Sequence, residues 1–414
     1  EELKEAEMPF GRIDYGQLYR RRYETLRRAY ARFNIKDEKF AEFVSSGLFD
    51  DYALFMSFKS IYGGTFRDWP SAYKFRQTAV IDEFRTNIYR GEYCFWQFVQ
   101  YEFFRQWKAL KAYANSRGIK LIGDLPLYMA ADSSDVWARP ELFLLNGDLN
   151  PVDVAGVPPD YFSATGQLWG NPLYDWNKMR EDGYAWWTER IRRAYELYDI
   201  IRLDHFRGFD RYYAIPAGSP TAESGEWRQG PGTELFERAE RALGGLKIIA
   251  EDLGIIDDGV VRLRAQTGFP GMKILLFAFD GDENNAYLPK NIAKNSVTYS
   301  GTHDNDTAFG FVSGMTESAF SDFRRRLRAA LRGEGVSYPF VTRRDSVRAL
   351  IRCALATRSD ICIIPVQDIL GLDNSSRMNV PGTPSGNWQF RLAEIPGRQQ
   401  AAIFRAAVRA AGRL

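Results

Sequence analysis

Asp199-Ile200-Ile201-Arg202-Leu203-Asp204-His205-Phe206-Arg207-Gly208 is a short apolar run that closes on an aspartate and a histidine. The chain has two histidines in all, and the second stands in a similar place, in Val297-Thr298-Tyr299-Ser300-Gly301-Thr302-His303-Asp304-Asn305-Asp306. Between them lies a third such run, Leu246-Lys247-Ile248-Ile249-Ala250-Glu251-Asp252-Leu253-Gly254. A buried strand that ends in a carboxylate is costly to fold unless that group has partners or a task. Three of them suggest one site assembled from several strand ends.

Outward from these runs the pattern is a βα rhythm. Segment 181–198 reads as an amphipathic helix leading into the Asp204 strand, and 344–357 as another leading into Ile361-Cys362-Ile363-Ile364-Pro365-Val366. Strands are predicted at 119–124, 199–204, 246–251, 272–279, 296–301 and 360–366. Alternating strands and helices mean a parallel sheet. Asp124, Asp204, Glu251, Asp280, Asp304 and Asp368 fall at or just past C-terminal strand ends, the face that carries the site in a (β/α)8 barrel. The expected fold is therefore α/β, a (β/α)8 TIM-type barrel with largely helical insertions. Six strands are read where eight are needed, and an open barrel leaves bare strand edges. The first two strands are thus expected upstream of residue 1.

Residues 1–117 read as a mostly helical subdomain, with three-to-four spacing over 16–33, 37–46, 70–89 and 93–116 and a stop at Gly118. Residues 118–414 read as barrel strands three to eight, interrupted by insertions at 125–180 and 367–393. The first insertion is rich in Gly, Pro and aromatics, as lids and binding loops often are.

The bulk numbers narrow the function classes. With 414 residues, 45% of them hydrophobic, the chain can bury a large core. A net charge of +2 gives no argument for nucleic acid or an anionic membrane surface. Basic clusters such as Tyr19-Arg20-Arg21-Arg22 sit in helical patterns beside acids and read as solvated helix faces. Cys94, Cys353 and Cys362 are too few and scattered for a disulfide framework or a zinc site. No signal peptide and no apolar run near about 18 residues is found, so the chain reads as soluble and cytoplasmic. Aromatics reach 15%, with 22 Tyr and 10 Trp. Most aromatics pack in cores, but those in loops have flat faces that stack on sugar rings.

Retaining cleavage of a glycosidic bond needs a carboxylate nucleophile on one face of the anomeric carbon and a protonated carboxyl on the other. Arg202, two residues before Asp204 on a strand, points to the same face, and a cation there favours the charged carboxylate. Glu251 follows three apolar residues, Ile248, Ile249 and Ala250, a setting that raises the pKa of an acid that later serves as base. Asp304 with His303 can hold ring hydroxyls and help distort the sugar. No metal or cofactor is expected.

The strings Arg202-Leu203-Asp204-His205-Phe206-Arg207-Gly208, Ala250-Glu251-Asp252-Leu253-Gly254 and Gly301-Thr302-His303-Asp304-Asn305-Asp306-Thr307 resemble the 4-α-glucanotransferase family, also called amylomaltases or disproportionating enzymes, of the α-amylase-like clan. Gly123-Asp124-Leu125-Pro126 looks like the motif after its third strand. Gly156-Val157-Pro158-Pro159-Asp160-Tyr161 and Trp169-Gly170-Asn171-Pro172-Leu173-Tyr174 look like its loop over the cleft. Asn379-Val380-Pro381-Gly382-Thr383 with Asn387-Trp388 resembles its C-terminal signature. The likeness runs from about residue 8 to 390.

That resemblance implies Asp204 as nucleophile, Glu251 as general acid/base and Asp304 as transition-state stabiliser. It implies substrate contacts from Arg202, His303, His205, Asp124, Trp169, Asp160, Phe277, Asp280 and Asn379. The implied reaction is transfer of α-1,4-glucan segments between maltooligosaccharide or starch chains, or to glucose, with cyclisation a further outcome. Three other readings stay open: an α-amylase-type hydrolase with the same trio, a non-catalytic glucan-binding scaffold, and a metal-dependent hydrolase using Asp204, His205, His303 and Asp304. The last lacks His-x-His spacing.

Overall fold

The computed structural model describes residues 11–86, 90–159, 163–383 and 385–414. The chain divides into two compact units, one spanning Arg22–Gly268 and the other Phe269–Leu414 with the segment up to Arg21.

The Arg22–Gly268 unit carries seven strands among its described residues: β1 (Ile122–Leu125), β2 (Asp153–Val157), β3 (Gln167–Pro172), β4 (Ile200–Leu203), β5 (Arg211–Pro216), β6 (Glu226–Gln229) and β7 (Ile248–Ala250). Three of them are parallel, in the order β1-β4-β7. The register pairs Asp124 with Arg202 and Leu203 with Ala250. β4 and β7 are almost wholly buried, as strands covered on both faces must be. The helix Ala185–Leu197 precedes β4 and buries Trp187, Ile191 and Ala194. Thr233–Leu243 precedes β7 and buries Leu235, Phe236 and Ala239.

The other four strands form an antiparallel sheet in the order β3-β2-β5-β6. The stretch expected to be one long insertion at 125–180 therefore contains two of its strands, β2 and β3. Short helices at Ser134–Ala138 and Trp176–Glu181 flank them.

Ahead of β1 the unit is helical, as its spacing predicts, with two differences. The predicted 70–89 helix is broken into Ser71–Lys74 and Thr78–Thr86, because Arg76 adopts a positive φ of 52° that no helix propagates. Asp50–Tyr62 is a helix that the spacing did not reveal. It buries Ala53, Leu54, Phe55, Ser57 and Phe58, which span several faces and blur the periodicity. Phe58 is its anchor, edge-on to Phe84 at 4.6 Å, Tyr73 at 4.8 Å and Trp137 at 5.6 Å. The long helix Arg90–Ser116 stops at Gly118, whose φ of +74° lets the Ile119 N–H turn back to the Ala114 carbonyl at 3.0 Å.

The second unit carries β8 (Gly271–Ile274), β9 (Ser296–Tyr299) and β10 (Ile361–Ile363), parallel in that order. β8 is shorter than the predicted 272–279, since Leu275–Phe277 coil into a 3₁₀ turn. The helices Glu317–Gly333 and Arg343–Ala356 follow β9 and lead into β10, burying Phe320, Phe323, Leu327, Val347, Leu350 and Ile351 among others. The segment 11–21 joins this unit by adding to the 386–389 stretch: Ile13 N–H donates to Gln389 O at 2.8 Å, and Arg12 to Gly386 O at 2.8 Å.

Candidate active site

In the Arg22–Gly268 unit, backbone register sets the chemistry. Leu203 and Ala250 are the last paired residues of β4 and β7, so Asp204 and Glu251 come next on neighbouring strands. Parallel neighbours lie about 4.8 Å apart, which puts the two residues at the same level one strand spacing apart. The ladder continues through them: Glu251 N–H donates to Leu203 O at 3.0 Å, and Asp204 N–H to Leu125 O at 3.1 Å. Gly208 closes the turn beyond Asp204 and sits so close to Leu127 that a Cβ would lie 2.2 Å from its Cδ2.

Arg202 lies between two carboxylates. Its Nη1 is 2.6 Å from Asp124 Oδ1 and 3.0 Å from Asp204 Oδ1. Its side chain is 11% exposed, whereas those of Asp124 and Asp204 are 49% and 42% exposed. Burial works against its charge, but Asp124, Asp204 and Glu251 together hold the guanidinium protonated.

Glu251 has a different environment from Asp204. One oxygen accepts the His205 N–H at 2.9 Å and the other the Leu253 N–H at 2.8 Å. Burial first, and the Asp204 charge second, push its carboxyl up to about 7, against the pull of Arg202 and the two N–H groups. Two carboxyls a strand apart, one on a buried cation and one held protonated near neutrality, form a pair able to divide nucleophile and acid roles.

His205 adopts a left-handed φ of 49°, and its Nε2 is buried without a hydrogen-bond partner among the described residues. Burial, then Arg207, pushes its pKa down to about 4. The Trp169 ring stands edge-on to it at 4.9 Å, and Trp169 itself is 38% exposed at the β3 end of the antiparallel sheet. Asp160 lies outside the described residues.

In the second unit Asp304 sits on the loop between β9 and the helix Ala308–Ser313. Asn305 Oδ1 accepts the Thr302 N–H at 2.8 Å, and Thr307 caps the helix that follows. Asn379 Nδ2 donates to Asp304 Oδ1 at 2.6 Å, and His303 Nε2 is 3.1 Å from Asp304 Oδ2. The Asn379 N–H donates to the His303 carbonyl at 3.0 Å. The Trp388 ring packs on His303 at 5.0 Å. Phe277 is 37% exposed, and Asn285 ties its carbonyl to the Asp280 carboxylate, at 2.8 and 2.9 Å.

Asp124, Arg202, Asp204, His205, Glu251 and Trp169 therefore form one connected group. His303, Asp304 and Asn379 form a second, and Phe277 with Asp280 a third. Sequence reasoning gave no role to Arg377 or Trp388, although both stand in stretches it singled out. Among the described residues no group of three or more His, Cys, Asp and Glu side chains is placed to hold a metal ion. No helix among them is long and apolar enough to cross a membrane.

The family model described as 4-alpha-glucanotransferase matches residues 1–396. A 4-alpha-glucanotransferase from Clostridium butyricum is 42% identical, over 92% of this chain and 77% of its own length. One from Thermus thermophilus is 41% identical over the whole chain and 83% of its own length. Among solved structures, amylomaltase from Streptococcus agalactiae in complex with acarbose superposes with a TM-score of 0.91 at 35% identity. That match covers all of this chain and 83% of the other. Amylomaltase from Corynebacterium glutamicum shares the fold with a TM-score of 0.76 at 19% identity, over 98% of this chain and 60% of its own.

Proposed function

The chain belongs to the 4-alpha-glucanotransferase family, and on that premise we propose how its residues carry out the reaction. It is an enzyme of the α/β, TIM-barrel type that moves α-1,4-glucan segments from one maltooligosaccharide or starch chain to another glucan or to glucose. Asp204 attacks the anomeric carbon while Glu251 gives its proton to the leaving oxygen, which releases the donor's reducing-end part and leaves a glycosyl ester on Asp204. Glu251, now ionised, takes the proton from an acceptor hydroxyl as that oxygen displaces Asp204. The new bond has the configuration of the old one.

Arg202 holds Asp204 and Asp124 in place. Asp304 meets the positive charge that develops on the sugar ring, with His303 and Asn379 on its two oxygens. Trp169 and Phe277 present exposed ring faces for glucan, with His205, Asp124, Asp160 and Asp280 as further substrate contacts. The observation that carries this reading is the Asp204–Glu251 pair, level on neighbouring strands, with Asp204 on the Arg202 guanidinium and the Glu251 carboxyl buried and raised. A cytoplasmic location is part of the proposal, supported by three unpaired cysteines, the usual state of thiols in a reducing compartment.

Incubation with maltotriose tests it. Transfer gives longer maltooligosaccharides together with free glucose, whereas hydrolysis raises reducing ends without longer products. Binding without turnover would favour the scaffold reading instead.

A further inference from the structure

Among the described residues the loop that carries Asp304 lies outside the paired strands, and one side chain ties several of its groups together. Arg377 Nη2 donates to the Asp304 carbonyl at 2.6 Å, its Nε donates to the Asn379 carbonyl at 2.8 Å, and its Nη1 pairs with the Asp306 carboxylate. Asn379 is the residue whose amide meets the Asp304 carboxylate. A single planar guanidinium thus grips the backbone of Asp304, the backbone of its carboxylate's partner, and the acid two residues further on. Its side chain is 22% exposed and lines a cavity shared with Gly301, His303 and Asp368.

We propose that Arg377 is a positioning residue for the glucan transfer, setting the angle at which the Asp304 carboxylate meets the transition state. The proposal rests on the reading above, in which Asp304 acts on the developing charge. Its physical basis is geometric. Three acceptors in three directions suit the fixed fork of a guanidinium, and a lysine ammonium on a flexible stem cannot reach all of them. Without the fork, Asp304 and Asn379 can each move while the strands behind them stay in place. A misplacement of about 1 Å at a reacting centre costs on the order of 10²-fold in rate. Because the interaction matters in the transition state, the loss should fall on kcat and leave KM nearly unchanged.

The test compares Arg377→Ala and Arg377→Lys, each alone and combined with Asp304→Asn. The donor is a maltosyl fluoride, reactive enough to keep weak variants measurable, and maltose is the acceptor. We expect Arg377→Ala to lose about 10–10²-fold in kcat with KM within about twofold. Arg377→Lys should fall between it and the wild type. Added guanidinium should restore part of the Arg377→Ala rate, and ammonium at equal ionic strength should not. In the Asp304→Asn background, removing Arg377 should cost nothing further, because the two act through one carboxylate.

Unchanged kcat, a loss confined to KM, or an equal loss in the Asp304→Asn background would overturn the positioning role. Should Arg377→Ala not fold, Arg377→Lys and its combination with Asp304→Asn give the same decision. Active wild-type enzyme with additive losses sinks this proposal alone, whereas wild-type protein without transfer sinks the functional reading beneath it.

Discussion

The Asp204–Glu251 pair and the Asp304 loop reach their geometry by different means. The pair is placed by a parallel ladder that runs through Leu203, Ala250 and the two acids themselves, so both Glu251 oxygens meet main-chain N–H groups. Asp304 stands on a loop, and its carboxylate meets side chains, Asn379 and His303, behind which Arg377 holds two carbonyls. Register is insensitive to most single substitutions, whereas a bracket of side chains can be undone by one. Changes around the pair should leave its chemistry largely intact unless they touch the acids, even where they cost stability. Changes around Asp304 should be felt several residues away.

The largest effect expected is at the pair itself. Asp204→Asn removes the atom that forms the ester, and loss of a covalent nucleophile can cost on the order of 10⁶-fold in kcat. Glu251→Gln should cost about 10²–10⁴-fold with maltotriose. That loss should shrink with a glycosyl fluoride donor, whose leaving group needs little protonation. An equal loss with both donors would contradict the acid role.

The pH profile sharpens the same point. The Glu251 carboxyl is held up to about 7, so its proton-donating form is present below that pH and is lost as pH rises through it. The wild-type kcat/KM should therefore fall above about 7, and Glu251→Gln should lose that alkaline limb. An alkaline limb that persists in Glu251→Gln would assign it to another group.

On the loop side, Asn379→Ala removes one donor to a charged carboxylate, a bond worth about 1.5–3 kcal/mol, so kcat should fall about 10–10²-fold. If Asn379→Ala leaves kcat unchanged, the bracket is decorative and the contrast between the two regions fails.

The smallest effect on chemistry, and a clear one on stability, is expected at the turn behind the pair. Gly208→Ala places a Cβ 2.2 Å from Leu127 Cδ2. Overpacking of this kind costs about 1–3 kcal/mol, readable as a lower denaturant midpoint. An unchanged midpoint would mean that the turn has slack the register argument does not allow.

The same contrast explains what the sequence made legible. β1, β4, β7, β8, β9 and β10 each overlap one of the six stretches read as strands, because runs such as Ile200-Ile201 and Ile248-Ile249 are β-branched, apolar and bounded by turns. Residues that finish those runs could be picked out before any coordinates. The antiparallel sheet could not. β6 is Glu-Trp-Arg-Gln, and β2 carries Gly156, whose Cβ would lie 2.2 Å from the Gln167 carbonyl. Neither shows the alternation that marks a half-buried strand. Arg377 was hidden for another reason. Two of its three acceptors are carbonyls, and a backbone acceptor leaves no trace in residue identity.

The most direct test is to trap the intermediate. Glu251→Gln enzyme, supplied with maltosyl fluoride and no acceptor, should form the glycosyl ester and release it slowly. Peptide mass spectrometry should then find the maltosyl group on the peptide containing Asp204, at that side chain. Sugar attached at a different residue, or steady turnover with no adduct and an inverted product anomer, would contradict the account.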